Sequence, residues 1–412
     1  MTQNMKRALL VLVCGSFVLA LNMGIRQSLG LFIPDMMLGT GWTAGTFALA
    51  LAVQNLLWGA AAPVAGMLAD RYGTARTVVS GALFYAVGLA LMGLSDEQWM
   101  FHGSAGLLVG LGVAGTTFPI VLGAVGRVFS EEKRSLALGI AAAGGSFGQF
   151  VMAPVTGELN STFGYVQALM FLGLISLLMA PAGLALMGRA AGHSATTAAN
   201  NDAPSLRVAL RSATGHRGFW LLNLGFFVCG FHVSFIAVHL PMFVSVCGLA
   251  PSIAATGLAL IGLFNIFGTL TAGYLGGRYR KKWLLSGLYG MRAVVILIFF
   301  FSPKTATTLL VFSAAIGVLW LPTVPLTSGI VAQIFGPRFL ASLFGVVLFF
   351  HQVGAFFGAW LGGVVFDHTG SFDLVWLISI ALGIMAMLVH LPIRDAKIQW
   401  EKPVDLAPAA EG

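Results

Sequence analysis

The sequence predicts an all-α membrane protein with about twelve transmembrane helices in two pseudosymmetric six-helix halves. Composition, a succession of long apolar runs and an internal repeat predict this fold. Of the 412 residues, 58% are hydrophobic and only 9% are charged, and the mean hydropathy is +0.91. These values exclude a water-soluble domain of this length and indicate a polytopic membrane protein.

The apolar runs are long enough to cross about 30 Å of hydrocarbon as helices. They fall in two groups of six: 8–33, 43–69, 76–94, 99–127, 135–158 and 165–187, then 218–245, 253–276, 283–301, 306–334, 339–366 and 372–392. The predicted organisation is therefore an N-terminal half at 1–188, a cytoplasmic linker at 189–217, a C-terminal half at 218–393 and a cytoplasmic tail at 394–412. Within the linker, 205–211 suits a short amphipathic helix on the membrane surface.

An internal repeat relates the two halves. A shift of 206 residues aligns glycines at 139, 148, 157 and 164 with glycines at 345, 354, 363 and 370, and a shift of 207 aligns Gly66 with Gly273. Six spans separate the copies, so both have the same orientation, which predicts a substrate site between parallel halves near the midplane. The shift of 206 also pairs Arg26 with His232, and we expect the two to face one cavity.

Basic residues alternate between the loops. Lys and Arg concentrate at Lys6 and Arg7, Arg71 and Arg76, Lys133 and Arg134, 189–217, 278–282, Arg338 and 394–402, whereas the other loops carry Asp35, Asp96, Glu97, Asp367 and Asp373. The positive-inside rule then predicts a multi-pass protein of the inner (plasma) membrane with both termini cytoplasmic. This distribution accounts for the net charge of +8 without a nucleic-acid partner.

Two arginines lie deep in the apolar runs, Arg26 and Arg292, and no Asp or Glu lies there away from the helix ends. A buried cation is costly in a bilayer and therefore points to function. Uncompensated positive charge favours an anionic ligand. The structural alternatives are Arg26 bonded to carbonyls or to Asn22, and Arg292 tied to Asn265 or to carbonyls.

Polar side chains elsewhere in the runs complete the candidate site. Asn22 shares a helix face with Arg26 by its i, i+4 spacing. The histidines His232 and His239 are candidates for proton coupling because histidine titrates near working pH, with a neutral ring bonded to a helix carbonyl as the alternative. The predicted substrate-binding set is Arg26, Asn22, His232, Asn265, Arg292, His351, Gln352 and Gln54.

Motifs for other chemistry are missing from the sequence. It has no phosphate-binding loop, no His-Glu-x-x-His and no paired membrane carboxylates, and its cysteines Cys14, Cys229 and Cys247 lack metal-ligand spacing. We therefore expect no enzyme activity, no cofactor and no metal.

The first strong family signal is the loop motif GMLADRYGTAR at 66–76. It resembles the motif between helices 2 and 3 of the major facilitator superfamily, although the second copy has Gly277 in place of the acid. The resemblance implies the major facilitator fold and a gating role for Asp70, Arg71 and Arg76.

Within that superfamily the chain looks most like the monocarboxylate transporter and oxalate:formate antiporter branch. The similarity lies in GIRQSLGLF, RSLALGIAAAGGSFGQFVMAP, FHVSFIAVHLP and LFGVVLFFHQVGAFFGAWLGG. One departure is that monocarboxylate transporters carry an Asp and an Arg one turn apart in helix 8, where this chain has Asn265 and Thr269.

The expected function is secondary active transport of a small organic carboxylate, such as lactate or pyruvate, by a monomer using alternating access. Coupling is expected to a proton or to a counter-anion. The alternatives are an exporter of hydrophobic or drug-like compounds on the same fold and a membrane ligand sensor that transports nothing.

Overall fold

The computed structural model describes residues 3–187, 206–336 and 339–398, and every regular element in these ranges is helical. We number the membrane crossings in chain order. The first crossing comprises Gln3–Ser28, a 3-10 turn at Leu29–Phe32 and Ile33–Thr40. The second crossing is Ala44–Tyr72 and the third is Thr74–Gly93. The fourth comprises Gln98–Phe101, a π-helix at His102–Leu108, Val109–Thr116 and Phe118–Val128, and the fifth and sixth share Glu131–Leu177, followed by Met179–Ala185. The second half begins with a short helix, Leu206–Gly215; the seventh crossing is Arg217–Val246, the eighth Pro251–Arg278, the ninth Lys281–Phe301, the tenth Ala306–Val318 with Thr323–Phe335, the eleventh Leu340–Thr369 and the twelfth Asp373–His390.

The predicted number of crossings is confirmed once the longest helical segment is divided. Leu136–Ala185 runs for 50 residues, which at 1.5 Å per residue is far longer than one crossing needs. Gly164 interrupts it with φ 77° and ψ 165°. This left-handed φ suits glycine, and the chain reverses there to separate the fifth crossing from the sixth.

The first crossing extends further than the sequence predicts, to Thr40 rather than to residue 33. Pro34 follows directly after the predicted end. The structure instead places Pro34 in the first turn of Ile33–Thr40, after the 3-10 turn. A proline is tolerated there because the N–H groups of a first helical turn have no intrahelical partner.

Equivalent packing in the two halves confirms their pseudosymmetry. The first crossing packs on the fifth and the seventh packs on the eleventh. A Cβ added to Gly24 would lie 2.6 Å from Met152 Cγ, and one added to its mate Gly230 would lie 2.9 Å from Ala355 N. Small residues permit this close approach of membrane helices. The buried hydrophobic side chains form two clusters that correspond largely to the two halves.

The two halves meet at one end of the bundle, which we call the acidic end because its loops carry Asp35, Asp96 and Asp367. The Asp367 carboxylate, at the end of the eleventh crossing, accepts hydrogen bonds from the N–H groups of Ala44 at 2.9 Å and Gly45 at 2.8 Å. These are free N–H groups in the first turn of the second crossing, where the helix dipole also favours an anion. We call this pair of bonds the Asp367 clasp.

The halves separate at the opposite end, which we call the basic end after its Lys- and Arg-rich loops. A Cβ added to Gly66, Gly139, Gly273 or Gly345 would meet no described atom within 4 Å. These positions form two pairs in the internal repeat, so the opening is symmetric. A Cβ added to Gly59 would still lie 2.8 Å from Gln352 Cβ, so the second and eleventh crossings touch at mid-length and diverge towards the basic end. With the Asp367 clasp at the other end, the bundle is closed at the acidic end and open at the basic end.

The segment after the twelfth crossing turns back onto the basic end of the C-terminal half. Lys282 Nζ donates to the carbonyls of Leu391 and Ile393, and Arg280 pairs with Asp395 at 2.6 Å. The hydrogen bond from Arg280 holds the pKa of Asp395 below its usual range. Residues 394–398 of the predicted tail thus contact the bundle, while 399–412 and most of the predicted linker, 188–205, lie outside the described residues. The predicted amphipathic helix corresponds to Leu206–Gly215.

The Asp367 clasp yields a first prediction. Asp367→Ala removes both bonds of the clasp, so the acidic end should open more often. The measurement is labelling of an Ala48→Cys reporter, whose position is fully buried between the second and eleventh crossings, with a membrane-impermeant maleimide in a Cys14→Ser, Cys247→Ser background. We expect labelling from the acidic side to accelerate about fivefold, the ratio that corresponds to about one hydrogen bond.

Asp373→Ala is the matched control. Asp373 lies at the same end, in the first turn of the twelfth crossing, and makes no contact between the halves through its carboxylate among the described residues. Equal labelling of the Asp367→Ala and Asp373→Ala proteins would show that the clasp does not hold the acidic end closed.

Candidate functional site

The candidate site is built around Arg26, near the end of the long helix of the first crossing. Its Nη2 donates to Asn55 Oδ1 at 3.0 Å, and its Cζ lies 4.6 Å from the centre of the Trp58 ring. The Nε atom is buried and has no hydrogen-bond partner. The residue as a whole is half-buried. Arg26 is thus oriented by the second crossing while part of its guanidinium stays unpaired.

No acid neutralises Arg26 among the described residues, where the only side-chain ion pair is Arg280 with Asp395. The indole ring supplies a cation–π contact, which is stronger where water is excluded, and the amide supplies one acceptor. These neutral partners leave a full positive charge at mid-depth. The arrangement can accept an anion with two acceptor oxygens on the unpaired donors.

Asn55 also connects the site to the other half. Its Nδ2 donates to Leu51 O at 2.8 Å and to Ser234 Oγ, in the seventh crossing, at 3.3 Å. A series of hydrogen bonds from Arg26 through Asn55 to Ser234 therefore joins the first, second and seventh crossings. A ligand that takes Arg26 away from Asn55 would disturb a contact between the halves.

A small void adjoins Arg26. It has room for about one water molecule, and the Gln27 Oε1 atom beside it is buried without a partner. Its lining comes from both halves: Arg26, Gln27, Gly30, Leu51, Gln54, Asn55, Ser234, Ala237 and Val238. Gln54, a predicted site residue, lies here, and its Nε2 donates to Ala105 O at 2.9 Å.

Asn22 does not share this void. It is fully buried, and its Nδ2 donates to Val113 O at 3.2 Å and to Thr116 Oγ1 at 2.6 Å in the fourth crossing. This corrects the expected position of Asn22: the i, i+4 spacing with Arg26 holds, but the side chain is used inside the N-terminal half.

The two candidate proton-coupling histidines lie inside the C-terminal half. His232 Nε2 bonds Ser379 O at 2.8 Å and His239 Nε2 bonds Ala359 O at 2.7 Å, and the Nδ1 atoms of both rings are buried without partners. A neutral imidazole with its N–H on a carbonyl satisfies this geometry. The expectation that His232 and Arg26 face one cavity is thereby corrected, and no described contact links either ring to Arg26.

Arg292 is also directed into the C-terminal half. Only 1% of it is exposed, and its Nη2 donates to the carbonyls of Leu319 and Trp320 in the tenth crossing. Of the two alternatives that the sequence left open, the structure shows bonding to carbonyls. Asn265 is not its partner: Asn265 Nδ2 donates to Ser146 Oγ at 2.9 Å, and its Oδ1 accepts from Leu321 N at 3.0 Å.

His351 and Gln352, adjacent in the eleventh crossing, lie in different environments. The His351 ring packs on Phe226, with centroids 4.8 Å apart, inside the C-terminal half. Gln352 faces the other half, since a Cβ on Gly59 would lie 2.8 Å from its Cβ and Cγ. Its Nε2 is buried without a partner. Gln352 therefore lies at the interface, whereas His351 does not.

The predicted gating residues Asp70, Arg71 and Arg76 are exposed at the basic end. Arg71 lies over the Tyr72 ring at 5.3 Å, and Asp70 pairs with no basic side chain among the described residues. An unengaged motif is compatible with a lock that forms only when the basic end closes. The gating role itself stays a prediction.

Sequence reasoning left Trp58, Ser234 and Ser146 out of the site. The spacing of Asn55 and Trp58, i and i+3, indicates a shared helix face, and this signal was available. Ser234 and Ser146 gave none, because serine is common at any membrane helix interface.

Comparisons with known proteins agree with this architecture. A family model described as Major Facilitator Superfamily matches residues 12–320 and 250–410. Human monocarboxylate transporter 11 is 26% identical over 400 residues, covering 91% of this chain and 80% of that protein. Rat monocarboxylate transporter 13 is 26% identical, covering 96% and 92%, and the uncharacterized MFS-type transporter YcxA of Bacillus subtilis is 23% identical, covering 92% and 94%.

Among solved structures, the chain is similar to a bacterial homolog of the human lysosomal transporter Spinster. The inward-facing, occupied crystal structure has a TM-score of 0.70 at 16% identity and covers 92% of each chain. The unoccupied structure gives 0.72 at 16% identity and covers 94% of each. At this identity the likeness establishes the fold.

The corrected position of Asn22 is testable. Asn22→Leu should lower the melting temperature in detergent, because Val113 O and Thr116 Oγ1 lose the hydrogen bonds that Asn22 donates to them, at a cost of about 1–2 kcal/mol. The control is Gln149→Leu, since Gln149 is similarly buried but makes no hydrogen bond through its side chain among the described residues. A melting temperature unchanged by Asn22→Leu would contradict a structural role.

Proposed function

Since the chain belongs to the Major Facilitator Superfamily and is a multi-pass transporter of that type, related to monocarboxylate transporters, we propose that its substrate is a small organic carboxylate anion, with monocarboxylates such as lactate and pyruvate as the first candidates. It moves the anion by alternating access, coupled to a proton or to a second anion. The protein works as a monomer in the inner (plasma) membrane with the basic end cytoplasmic, as the positive-inside rule predicts.

The observation that carries this proposal is the half-buried, unneutralised guanidinium of Arg26 between the two halves. A carboxylate suits it because the planar fork of arginine binds two oxygens at once, more directionally than an ammonium does. Arg292, the other deep cation, is enclosed within the C-terminal half, where its Nη2 donates to two backbone carbonyls and its Nε and Nη1 are buried without partners. The proposal therefore assigns one carboxylate to one cation, which favours monocarboxylates.

Substrate binding and the change of state can share one contact. In the closed-acidic-end state Arg26 bonds Asn55, and Asn55 bonds Ser234 of the other half. A carboxylate that accepts from both Nε and Nη2 of Arg26 competes with Asn55 Oδ1 for Nη2 and frees Asn55 to rearrange. The ligand thus has a differential contact with the two states, as any ligand-driven transition requires.

An exporter of hydrophobic compounds is the main rival. It predicts little dependence on Arg26 and acceptance of lipophilic cations, which an unneutralised guanidinium repels. A ligand sensor predicts binding without flux. Neither rival uses the free donors of Arg26.

Counterflow in proteoliposomes tests the proposal directly. Vesicles loaded with lactate, pyruvate, oxalate or a larger organic acid are assayed for uptake of the labelled acid, with and without a pH gradient. Uptake accelerated by acid outside supports proton coupling, and pH-insensitive exchange supports anion antiport. The carboxylate proposal fails if no acid exchanges while a lipophilic compound does.

Arg26 variants supply the matching prediction. Arg26→Lys keeps the charge but loses the bidentate contact, so KM for the carboxylate should rise at least about tenfold, equivalent to about 1.4 kcal/mol. Arg26→Gln should abolish uptake. Arg280→Lys, at the exposed ion pair with Asp395, is the control and should transport normally. Wild-type KM in Arg26→Lys would remove Arg26 from the site.

A further inference from the structure

The tenth crossing is broken at residues 319–322. Ala306–Val318 ends before the break and Thr323–Phe335 begins after it, and Pro322 cannot donate a backbone hydrogen bond. The carbonyls at the end of the first helix and the N–H groups at the start of the second lose their intrahelical partners. In a membrane these groups need partners from elsewhere in the protein.

Two side chains from neighbouring crossings supply these partners. Arg292 Nη2 donates to Leu319 O and, at 2.8 Å, to Trp320 O, while Leu321 N donates to Asn265 Oδ1 at 3.0 Å. The carbonyls lie at the C-terminal end of a helix, where the dipole favours a cation. Arg292 is therefore stabilised without an acid, and the break is held from both sides.

The second polar atom of Asn265 extends this network across the two halves. Asn265 Nδ2 donates to Ser146 Oγ in the fifth crossing at 2.9 Å. A continuous series of contacts thus runs from Arg292, through the backbone of the break, to Asn265 and on to Ser146. The position of the break and the contact between the halves depend on the same amide side chain.

The internal repeat shows that this connection is asymmetric. A shift of 207 pairs Tyr85 with Arg292. The Tyr85 hydroxyl, in the third crossing, donates to Asn22 O, in the first crossing, at 3.1 Å, so Tyr85 too bonds the backbone of another crossing in its own half. The same shift of 207 aligns the second crossing with the eighth and pairs Trp58 with Asn265. The indole N–H of Trp58 is buried without a hydrogen-bond partner, so no matching path continues from it.

From this network we infer that Arg292 is a positioning residue for the contact between the halves: it fixes the break in the tenth crossing, and the break holds Asn265 in place to bond Ser146. The inference uses the alternating access of the proposed function but does not depend on the substrate. Loss of Arg292 weakens the Asn265 bond to Ser146 and destabilises the state that is open at the basic end.

Spin labels at the basic end measure this state. Gly66→Cys and Gly273→Cys lie at equivalent, unobstructed positions of the second and eighth crossings. In a Cys14→Ser, Cys247→Ser background, with the fully buried Cys229 left in place, pulsed EPR distances in proteoliposomes report the open and closed populations. Arg292→Met should lower the open-to-closed ratio about fivefold, as expected for the loss of one hydrogen bond.

A double-mutant cycle separates positioning from a general structural role. Ser146→Ala should give a similar shift alone and should add little to Arg292→Met, because both changes remove the same bond. Ser234→Ala, which breaks a separate hydrogen bond between the halves, from Asn55, is the matched control and should add its full effect to that of Arg292→Met. Full additivity of Arg292→Met with Ser146→Ala, or an unchanged ratio in Arg292→Met, would overturn the inference.

If Arg292→Met does not fold, Arg292→Lys replaces it in the cycle, since it keeps the cation but not the planar fork. The EPR cycle needs no substrate. A protein that fails to exchange carboxylates can still show the predicted non-additivity, and a confirmed carboxylate carrier can still lack it. The two proposals therefore fail independently.

Discussion

The structure depends on one electrostatic constraint: a guanidinium at mid-membrane that no described acid neutralises. Arg26 is stabilised by the amide oxygen of Asn55 and the face of Trp58, both from the second crossing. Neutral partners reduce the cost of burying the ion without cancelling its charge. An acidic partner in their place would stabilise the resting protein more and attract an anion less. Under the proposed function, the surroundings of Arg26 trade intrinsic stability for an unneutralised charge that an anion can bind.

The two deep arginines show how depth alone leaves a role undecided. Both lie in apolar runs and both keep an unpaired Nε. Arg292 is enclosed within the C-terminal half, where it bonds the carbonyls of a broken helix, whereas Arg26 adjoins a void lined by both halves. The free carbonyls of the broken tenth crossing are what stabilise Arg292. A cation near a helix break is therefore a candidate for backbone stabilisation before it is a candidate ligand.

The fold could be predicted because it follows from composition, span length and the internal repeat, and all three are properties of the linear sequence that need no knowledge of tertiary contacts. The lack of an acidic partner for Arg26 among the described residues could be predicted, because no Asp or Glu lies in the apolar runs away from the helix ends. The environments of Asn22 and His232 could not. Helical periodicity shows which side chains share a face of a helix. It does not show which neighbouring helix covers that face, and this decides whether a polar side chain meets a cavity or a backbone carbonyl. Trp58 was missed because a tryptophan in an apolar run is readily explained by packing, so its residue type alone does not indicate a contact with Arg26.

The Asp367 clasp also bears on how such a protein can change over evolution. One of its partners is a side chain, but the other is the backbone at Ala44 and Gly45, which any residue except proline provides. The N–H donors therefore survive substitution, but a Cβ at position 45 would lie 2.5 Å from Asp367 Oδ2, so the clasp also depends on glycine there. A descendant could lose this contact through a single codon at either position, and a lineage that has changed both regains it only by restoring both.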